Sequence, residues 1–486
     1  GVRPLAEFLA NYPVARVYPT GAVHSYSNYS FTLAGQLVTE GSGIPFNQFV
    51  TENIFQSLEM PHSTFEQPVP QIVFSNVAVG YVSTGAGYEV GPDIYLQIGP
   101  AGSLSTTAED MAHFMIAMLA DGRYKDTQIL TEATAQQIKQ QQFTHHAELP
   151  GMTLGFKERS INGQRLIGHG GDIDTFASQM ILLPQHDLGF FMVYNAFNDA
   201  IRQNFIDEFM NHYFPAETTP PPPTTINLST AELVRFAGSY RWVKYPQTTL
   251  AKFSIFPPGA HNWTVAVNDD GTISFAPFAL SGEWRYAPVE PLVFKQVSGE
   301  PLLIGGVQID PGETLVFREN DAGEITFAFI ALQNAGMEKL AWYEATPIHM
   351  GILGLALLSF LSVLIWPIGG LINRIRKKTV AAPLPASQRA RWFAGGIGIT
   401  NLIAFILLMI YLGPVLGIGV PPLMKVALSL FLMTSLLSLG LIVACVLAWL
   451  KRYWSISGRI HYTAITISAL LFVWWLSYWN LLGWNF

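Results

Sequence analysis

One cysteine stands in 486 residues. A disulfide framework and a thiolate zinc site are both excluded by that count, since Cys445 has no partner. Charge is scarce too: 13% of the residues are charged against 50% hydrophobic, a balance foreign to a fully soluble globular chain. Acidic residues stop altogether at Glu344. From Thr346 onward there are ten Lys and Arg and no Asp or Glu, which leaves 27 − 10 = 17 basic against 34 acidic residues before it, so the net charge of −7 is the sum of about −17 and +10. An acidic front excludes a nucleic-acid surface, because phosphate binding needs clustered cations. The first residues have no charged segment followed by an apolar one. They are expected to open in mid-domain, in an N-terminally truncated chain, rather than with a signal peptide.

Long apolar runs are what the sequence does have. Segments 348–371, 392–418, 426–450 and 462–482 are nearly all apolar and each has 21 residues or more, enough to cross about 30 Å of hydrocarbon as a helix. A four-helix membrane domain is expected over 346–486. Between the first two spans lie Arg374, Arg376, Lys377, Lys378, Arg389 and Arg391, and between the last two Lys451, Arg452 and Arg459, whereas the middle connection has only Lys425. Positive loops stay in the cytoplasm, so both the portion before 348 and the C-terminus are expected outside. Trp392, Trp454, Trp479 and Trp484 fall near span ends, where interfacial rings are expected. The spans lack the interior charges of an ion or proton path, which disfavours a transporter.

Four consecutive prolines, Pro220 to Pro223, mark 215–225 as an extended spacer. After it, 226–345 reads as a small all-β barrel or sandwich. Short β-rich runs such as Trp263-Thr-Val-Ala-Val267, Thr272-Ile-Ser-Phe275, Thr314-Leu-Val-Phe317 and Ile325-Thr-Phe-Ala-Phe329 are separated by turn signals at Asn268-Asp-Asp-Gly271 and Asn320-Asp-Ala-Gly323. Residues 1–214 mix both periodicities, and an α+β domain with an antiparallel sheet is expected there. Helices are expected over 30–41, 44–57 and 106–119, the last capped by Ser105 or Thr106, and strands over 179–183 and 189–194 around the turn 184–187. Phe190, Phe191 and Tyr194 are expected in the core. His145 and His146, in a Gln-rich loop without further ligands at suitable spacing, are expected to be solvated rather than metal-bound. No metal and no cofactor is expected.

The chemistry-bearing residues of this front portion form a pattern. Tyr26-Ser27-Asn28 precedes a helix and is followed by Gly43-Ile-Pro-Phe46; Pro100-Ala-Gly-Ser-Leu-Ser-Thr-Thr opens another helix; Gly168-His-Gly-Gly171 precedes the strand pair. In this order they resemble the second motif, the helix-opening segment and the third motif of the serine hydrolases related to class C β-lactamases, penicillin-binding DD-peptidases and esterases. The resemblance covers about 1–214 and implies a β-lactamase/transpeptidase-like fold. It further implies that Tyr26 is the base or proton shuttle, that Asn28 positions the substrate's acyl group, and that His169 lines the site. By the same resemblance Gly170 and Gly171 admit the substrate backbone, and the N–H of Asp172 is an oxyanion donor. Asn28 is alternatively a plain helix N-cap.

The family's nucleophile is missing. No Ser-x-x-Lys occurs in the chain; only Thr249-Leu-Ala-Lys252 places a hydroxyl three residues before a lysine, in the β region, and Gly-x-Ser-x-Gly is absent too. The nucleophile is expected upstream of Gly1, and the chain as written is expected to be inert. His in place of the family's third-motif Lys is mostly neutral at pH 7, so esters, or amides and peptides lacking a carboxylate, are expected to be preferred over β-lactams. The expectation is therefore a multi-pass membrane protein whose extracytoplasmic serine hydrolase domain works through an acyl-enzyme on small ester, amide or peptidoglycan-like substrates. The alternative is a non-catalytic sensor or envelope scaffold of the same fold.

Overall fold

The computed structural model describes residues 2–71, 73, 77–84, 87–216, 223–256, 262–277, 283–304, 307–309, 312–331, 336–376, 384–418 and 420–485. Helices α1 (Leu5–Asn11), α2 (Asn28–Ser42) and α3 (Phe46–Val50), the last running into a π turn at Thr51–Phe55, precede the hairpin β1 (Tyr81–Thr84) and β2 (Gly87–Val90). Helices α4 (Gly99–Gly102) and α5 (Ala108–Leu119), the small pair β3 (Arg123–Tyr124) and β4 (Thr127–Gln128), and α6 (Glu132–Lys139) come next. Strands β5 (Lys157–Ile161), β6 (Gln164–Ile173), β7 (Phe176–Leu183) and β8 (Leu188–Tyr194) form an antiparallel sheet in sequence order, followed by α7 (Asp199–Tyr213).

The sheet is apolar on both faces because both are covered. Side chains alternate along a strand, so Ile167, Met180, Leu182 and Phe191 meet Met111, Met115 and Met118 of α5 on one face, while Leu166, Ile181, Leu183 and Phe190 meet Ile206 and Met210 of α7 on the other. That explains why β7 ends in the unbroken run Met180-Ile-Leu-Leu183, where a half-exposed strand would alternate. Phe190 and Phe191 join opposite cores, and the Tyr194 hydroxyl donates to the Asn198 carbonyl at 2.6 Å.

Two helix starts differ from the sequence expectation by a residue or two. Ser27, and not Asn28, caps α2, its hydroxyl accepting from the Ser30 N–H at 3.2 Å. Thr107, and not Ser105 or Thr106, caps α5 by accepting from the Asp110 N–H at 3.2 Å. In each case the cap is the last hydroxyl residue still in extended backbone. Buried Asp110 in turn accepts from the His62 N–H at 2.8 Å and the Ser63 hydroxyl at 2.7 Å, tying α5 to the 61–64 turn.

Of the Pro-rich stretch, residues 217–222 lie outside the described residues. Helix α8 (Thr230–Val234) starts with a complete capping box of Ser229 and Glu232. Strands β9 (Gly238–Trp242), β10 (Asn262–Val267), β11 (Ile273–Pro277), β12 (Trp284–Glu290), β13 (Val293–Ser298), β14 (Leu302–Ile304), β15 (Val307–Ile309), β16 (Thr314–Glu319), β17 (Ile325–Ile330) and β18 (Gly336–Lys339) follow. All but β14 and β15 close into a barrel in the order β10-β11-β12-β13-β16-β17-β18-β9. Both sequence-predicted turns carry a glycine at positive φ, Gly271 at 80° and Gly323 at 75°. Phe236, Phe294 and Phe317 pack ring against ring at 4.7 to 5.4 Å.

Helices α9 (Thr346–Ser362), α10 (Ile365–Ile375), α11 (Pro385–Ile418), α12 (Pro422–Leu450) and α13 (Ile456–Tyr478) end the chain. They provide four segments long and apolar enough to cross a membrane. The first span, expected as one helix, is broken between α9 and α10. Pro367 has no N–H to give to the carbonyl of Val363, and its ring crowds that carbonyl, which instead accepts from the Trp366 N–H at 3.3 Å. Small polar side chains bridge the helices, Ser359 to Ser468 at 2.8 Å and Thr434 to Asn401 at 2.7 Å. Of the cations expected in the first loop, Lys377 and Lys378 lie outside the described residues. Trp392 and Trp484 are exposed, but Trp479 is only 3% exposed: it packs on Phe253 and Phe256 and donates its N–H to His349 at 3.2 Å, so core packing takes the ring expected at the interface.

The chain divides into two compact units, one of residues 1–237, 265–276 and 282–338, the other of 238–264, 277–281 and 339–486. In the second, Arg241 is almost fully buried and donates to Asn262 Oδ1 at 3.2 Å, the Tyr478 hydroxyl at 3.0 Å and the Glu344 carbonyl at 3.3 Å.

Candidate active site

Among the described residues, strand β6 has an open edge where it outruns its neighbour. Strand β5 pairs with it only from Lys157 opposite Gly168 to Ile161 opposite Gln164, while β7 pairs along the other side as far as Ile173 opposite Phe176. Two residues, Asp174 and Thr175, make that last connection, so Ile173 and Phe176 must exchange their hydrogen bonds directly. By alternation, His169, Gly171 and Ile173 bond β7, and the N–H and C=O of Gly170 and Asp172 point to the open side. A polypeptide strand can lie along such an edge.

Three side chains gather beside it. The Tyr26 ring, in the extended segment before α2, lies 5.8 Å from the His169 ring, centroid to centroid, and Lys157 Nζ sits 5.2 Å over the Tyr26 ring. His169 Nδ1 is 2.6 Å from the Gly170 carbonyl. A carbonyl only accepts, so Nδ1 carries the proton and Nε2 of the neutral ring keeps its lone pair. Burial, and then the charge of Lys157, push the His169 pKa below its ordinary value, against the opposing pull of the Gly170 hydrogen bond and of Asp172. Burial, and then the Asp172 carboxylate, push the Tyr26 hydroxyl above its ordinary value. In this setting Tyr26 is held protonated and His169 neutral. Asn28 lies one residue inside α2 and is exposed.

The glycines of the edge have packing reasons of their own. A Cβ on Gly170 would stand 2.9 Å from Arg202 Nη1 and 3.0 Å from Gln179 Oε1, one on Gly171 2.8 Å from Ser178 Oγ, and one on Gly168 2.2 Å from the Met180 carbonyl. Arg202, on α7 and 7% exposed, grips Asp172 with two hydrogen bonds of 2.8 and 3.2 Å, donates to the Ser178 carbonyl at 3.1 Å, and pairs with Asp199. The carboxylate of Asp172 is thus committed to Arg202, while its N–H stays on the open side.

Sequence reasoning missed Lys157 and Arg202. Lys157 was legible only through its register opposite Gly168, and Arg202 only through the packing of α7 under the sheet. His145, expected to be solvated, is instead stacked on Phe329 at 4.2 Å and accepts from the His24 N–H at 3.0 Å. Burial, with Arg318 and His24 adding to it, pushes its pKa down to about 3. Lys252 of the Thr-x-x-Lys pair belongs to the second unit, its Nζ 3.9 Å over the Tyr478 ring. Among the described residues no group of three or more His, Cys, Asp and Glu is arranged to hold a metal.

Residues 3–207 match the Beta-lactamase family model. The front domain is β-lactamase-related. Protein flp of Staphylococcus aureus (strain MW2) is 23% identical over 194 residues, 40% of this chain and 36% of that protein, and Beta-lactamase-like protein 4 of Dictyostelium discoideum is 24% identical over 188 residues, 36% and 32%. The chain thus matches about a third of the length of these curated relatives. The crystal structure of SurE is similar at a TM-score of 0.47 and 18% identity over 69% of this chain and 72% of that one; the octameric penicillin-binding protein homologue from Pyrococcus abyssi gives 0.37 and 16% over 70% of each. The β-lactamase-related serine hydrolase fold, followed by the barrel and four apolar helices, makes up the chain.

Proposed function

We propose that the chain belongs to a membrane-anchored serine hydrolase that cleaves ester or amide bonds through an acyl-enzyme. The observation that carries this is the convergence of Tyr26, Lys157 and His169 beside an open strand edge within a β-lactamase-related fold. The functional division is taken as a hydrolase domain (1–214), a linker (215–225), a β domain (226–345) and a membrane domain (346–486). The nucleophile is a Ser-x-x-Lys in a segment outside these 486 residues, and without it the chain is inert. Helix α2 supports such a segment: it buries Thr32 and Gly35 yet turns Leu33 and Leu37, one turn apart on a single face, to solvent, an apolar strip that asks for a covering element.

Substrate lies along β6 with its carbonyl oxygen on outward N–H groups, among them that of Asp172. The serine oxygen attacks the carbonyl carbon, its proton passes to the Tyr26 oxygen, and Tyr26 returns a proton to the leaving group. Water then repeats the attack on the acyl-enzyme and frees the serine. Tyr26 starts protonated here, so the incoming lysine, acting with Lys157, has to bring its pKa into range. Asn28, at the start of α2, reaches for the acyl group. His169 offers a neutral Nε2 acceptor where a third-motif lysine would offer a charge, which favours substrates with a donor over those with a carboxylate. The basic residues in the connection between the first two spans and in that between the last two support an extracytoplasmic hydrolase domain.

The test is ester hydrolysis by protein that includes the Ser-x-x-Lys segment. Tyr26→Phe should lower kcat by about 10² to 10⁴, and nitrocefin should turn over far more slowly than the best ester. Nitrocefin turnover matching the ester, or a Tyr26→Phe variant as fast as wild type, contradicts the proposal.

A further inference from the structure

Inside one compact unit the barrel meets the hydrolase domain at the segment 18–24 that leads into Tyr26 and at 145–149 beside it. Arg318 of β16 donates Nη1 to the Ala22 carbonyl. Its guanidinium also lies 4.6 Å over the Phe329 ring of β17, the ring on which His145 stacks, and His145 accepts the His24 N–H. Val23 packs against Leu149, Val293, Val316 and Phe329. Only a glycine at 336 leaves room for it: a Cβ there would stand 2.8 Å from Val23 Cγ2. The Tyr18 hydroxyl donates to Glu338 at 2.8 Å. Residues 23–27 have no helix or strand of their own, so the backbone that presents Tyr26 is held from the barrel side until α2 begins.

We propose that the β barrel is a positioning module for Tyr26, with Arg318 as the positioning residue that fixes the Ala22–His24 backbone and His145 as its relay. A structural interface with no bearing on the site would have no reason to spend a half-buried arginine on a backbone carbonyl four residues before the motif tyrosine. Errors of about 1 Å in a reacting group cost on the order of 10²-fold in rate. Loosening this clamp should therefore act on turnover and leave substrate binding largely alone.

The inference rests on the hydrolase reading for its kinetic part and on geometry alone for the rest, and the experiment separates the two. In full-length protein with 3-fluorotyrosine at position 26, the fluorine resonance reports the setting of that ring whether or not the protein is a hydrolase. Arg318→Ala and His145→Phe should each shift or broaden the resonance and lower kcat for an ester by about 10- to 100-fold, with KM within about twofold. Arg318→Lys, which can still reach the Ala22 carbonyl, should restore most of both. His145→Phe keeps the ring on Phe329 and decides the matter if Arg318→Ala does not fold. An unchanged resonance in folded Arg318→Ala, or in His145→Phe where that variant decides, overturns the proposal. A shifted resonance in a protein whose wild type hydrolyses no ester upholds the positioning role and rejects the hydrolase instead.

Discussion

Replacing Arg202 by Met tests how the candidate edge is held. Arg202 has three kinds of partner, and they differ in exposure. Asp172 has a side chain 41% exposed, so its pair with Arg202 is worth at most about 1 kcal/mol. The bond to the Ser178 carbonyl contributes about 1 kcal/mol. Asp199, with a side chain only 10% exposed, dominates: a buried charge stripped of its partner costs about 3 to 5 kcal/mol. Arg202→Met should therefore destabilise the sheet by about 3 to 5 kcal/mol, a fall in melting temperature of roughly 10 °C for a domain of this size. Adding Asp199→Asn removes the buried charge that Arg202 balances and should recover more than half of the loss. Hydrogen exchange with peptide resolution in detergent, following 164–183 during heating, reads the local transition. A melt within about 2 °C of wild type, or a double variant no better than Arg202→Met, refutes the reasoning.

Gly168→Ala should cost more than Gly170→Ala, at least about 1 to 3 kcal/mol, because its Cβ would meet the Met180 backbone carbonyl whereas at Gly170 the nearest atoms end side chains; the same exchange experiment on the two variants decides it. His145, with its folded pKa near 3 and an ordinary value of 6.5, takes up a proton in the unfolded chain first. Its contribution is thus fully present above pH 6.5 and is lost at about 1.4 kcal/mol per unit as pH falls toward 3. His145→Gln should flatten the acid limb of the stability curve relative to wild type, and parallel limbs would speak against a buried neutral His145. A reporter fused after Phe486 should be active outside the cytoplasm, and cytoplasmic activity would invert the proposed topology.

The sequence disclosed those parts of the fold that depend on local pattern. The spans were visible as apolar runs, the turns at Gly271 and Gly323 as Asn/Asp-Gly signals, and the sheet as the runs ending in Leu183 and Tyr194. What it hid depends on register and packing. Lys157 reaches Tyr26 because β5 starts opposite Gly168, and a polar loop lysine gives no local sign of that. Arg202 looks like any helix arginine until α7 is laid under β6. His145 sat in a Gln-rich stretch that reads as solvated, and the aromatic Phe329, almost two hundred residues on, stacks over it. The break at Pro367 was written in the sequence, but hydropathy averaged over the span passes over a single proline.

In the proposed hydrolase, Tyr26, Lys157 and His169 serve a serine carried by another segment. Treatment of the full-length protein with a fluorophosphonate, followed by digestion and mass mapping of the adduct, tests it most directly. One labelled serine, three residues before a lysine and outside these 486 residues, with labelling slowed by Tyr26→Phe, is the predicted result. A labelled serine within the 486 residues, or no labelling of a folded full-length protein, would contradict it.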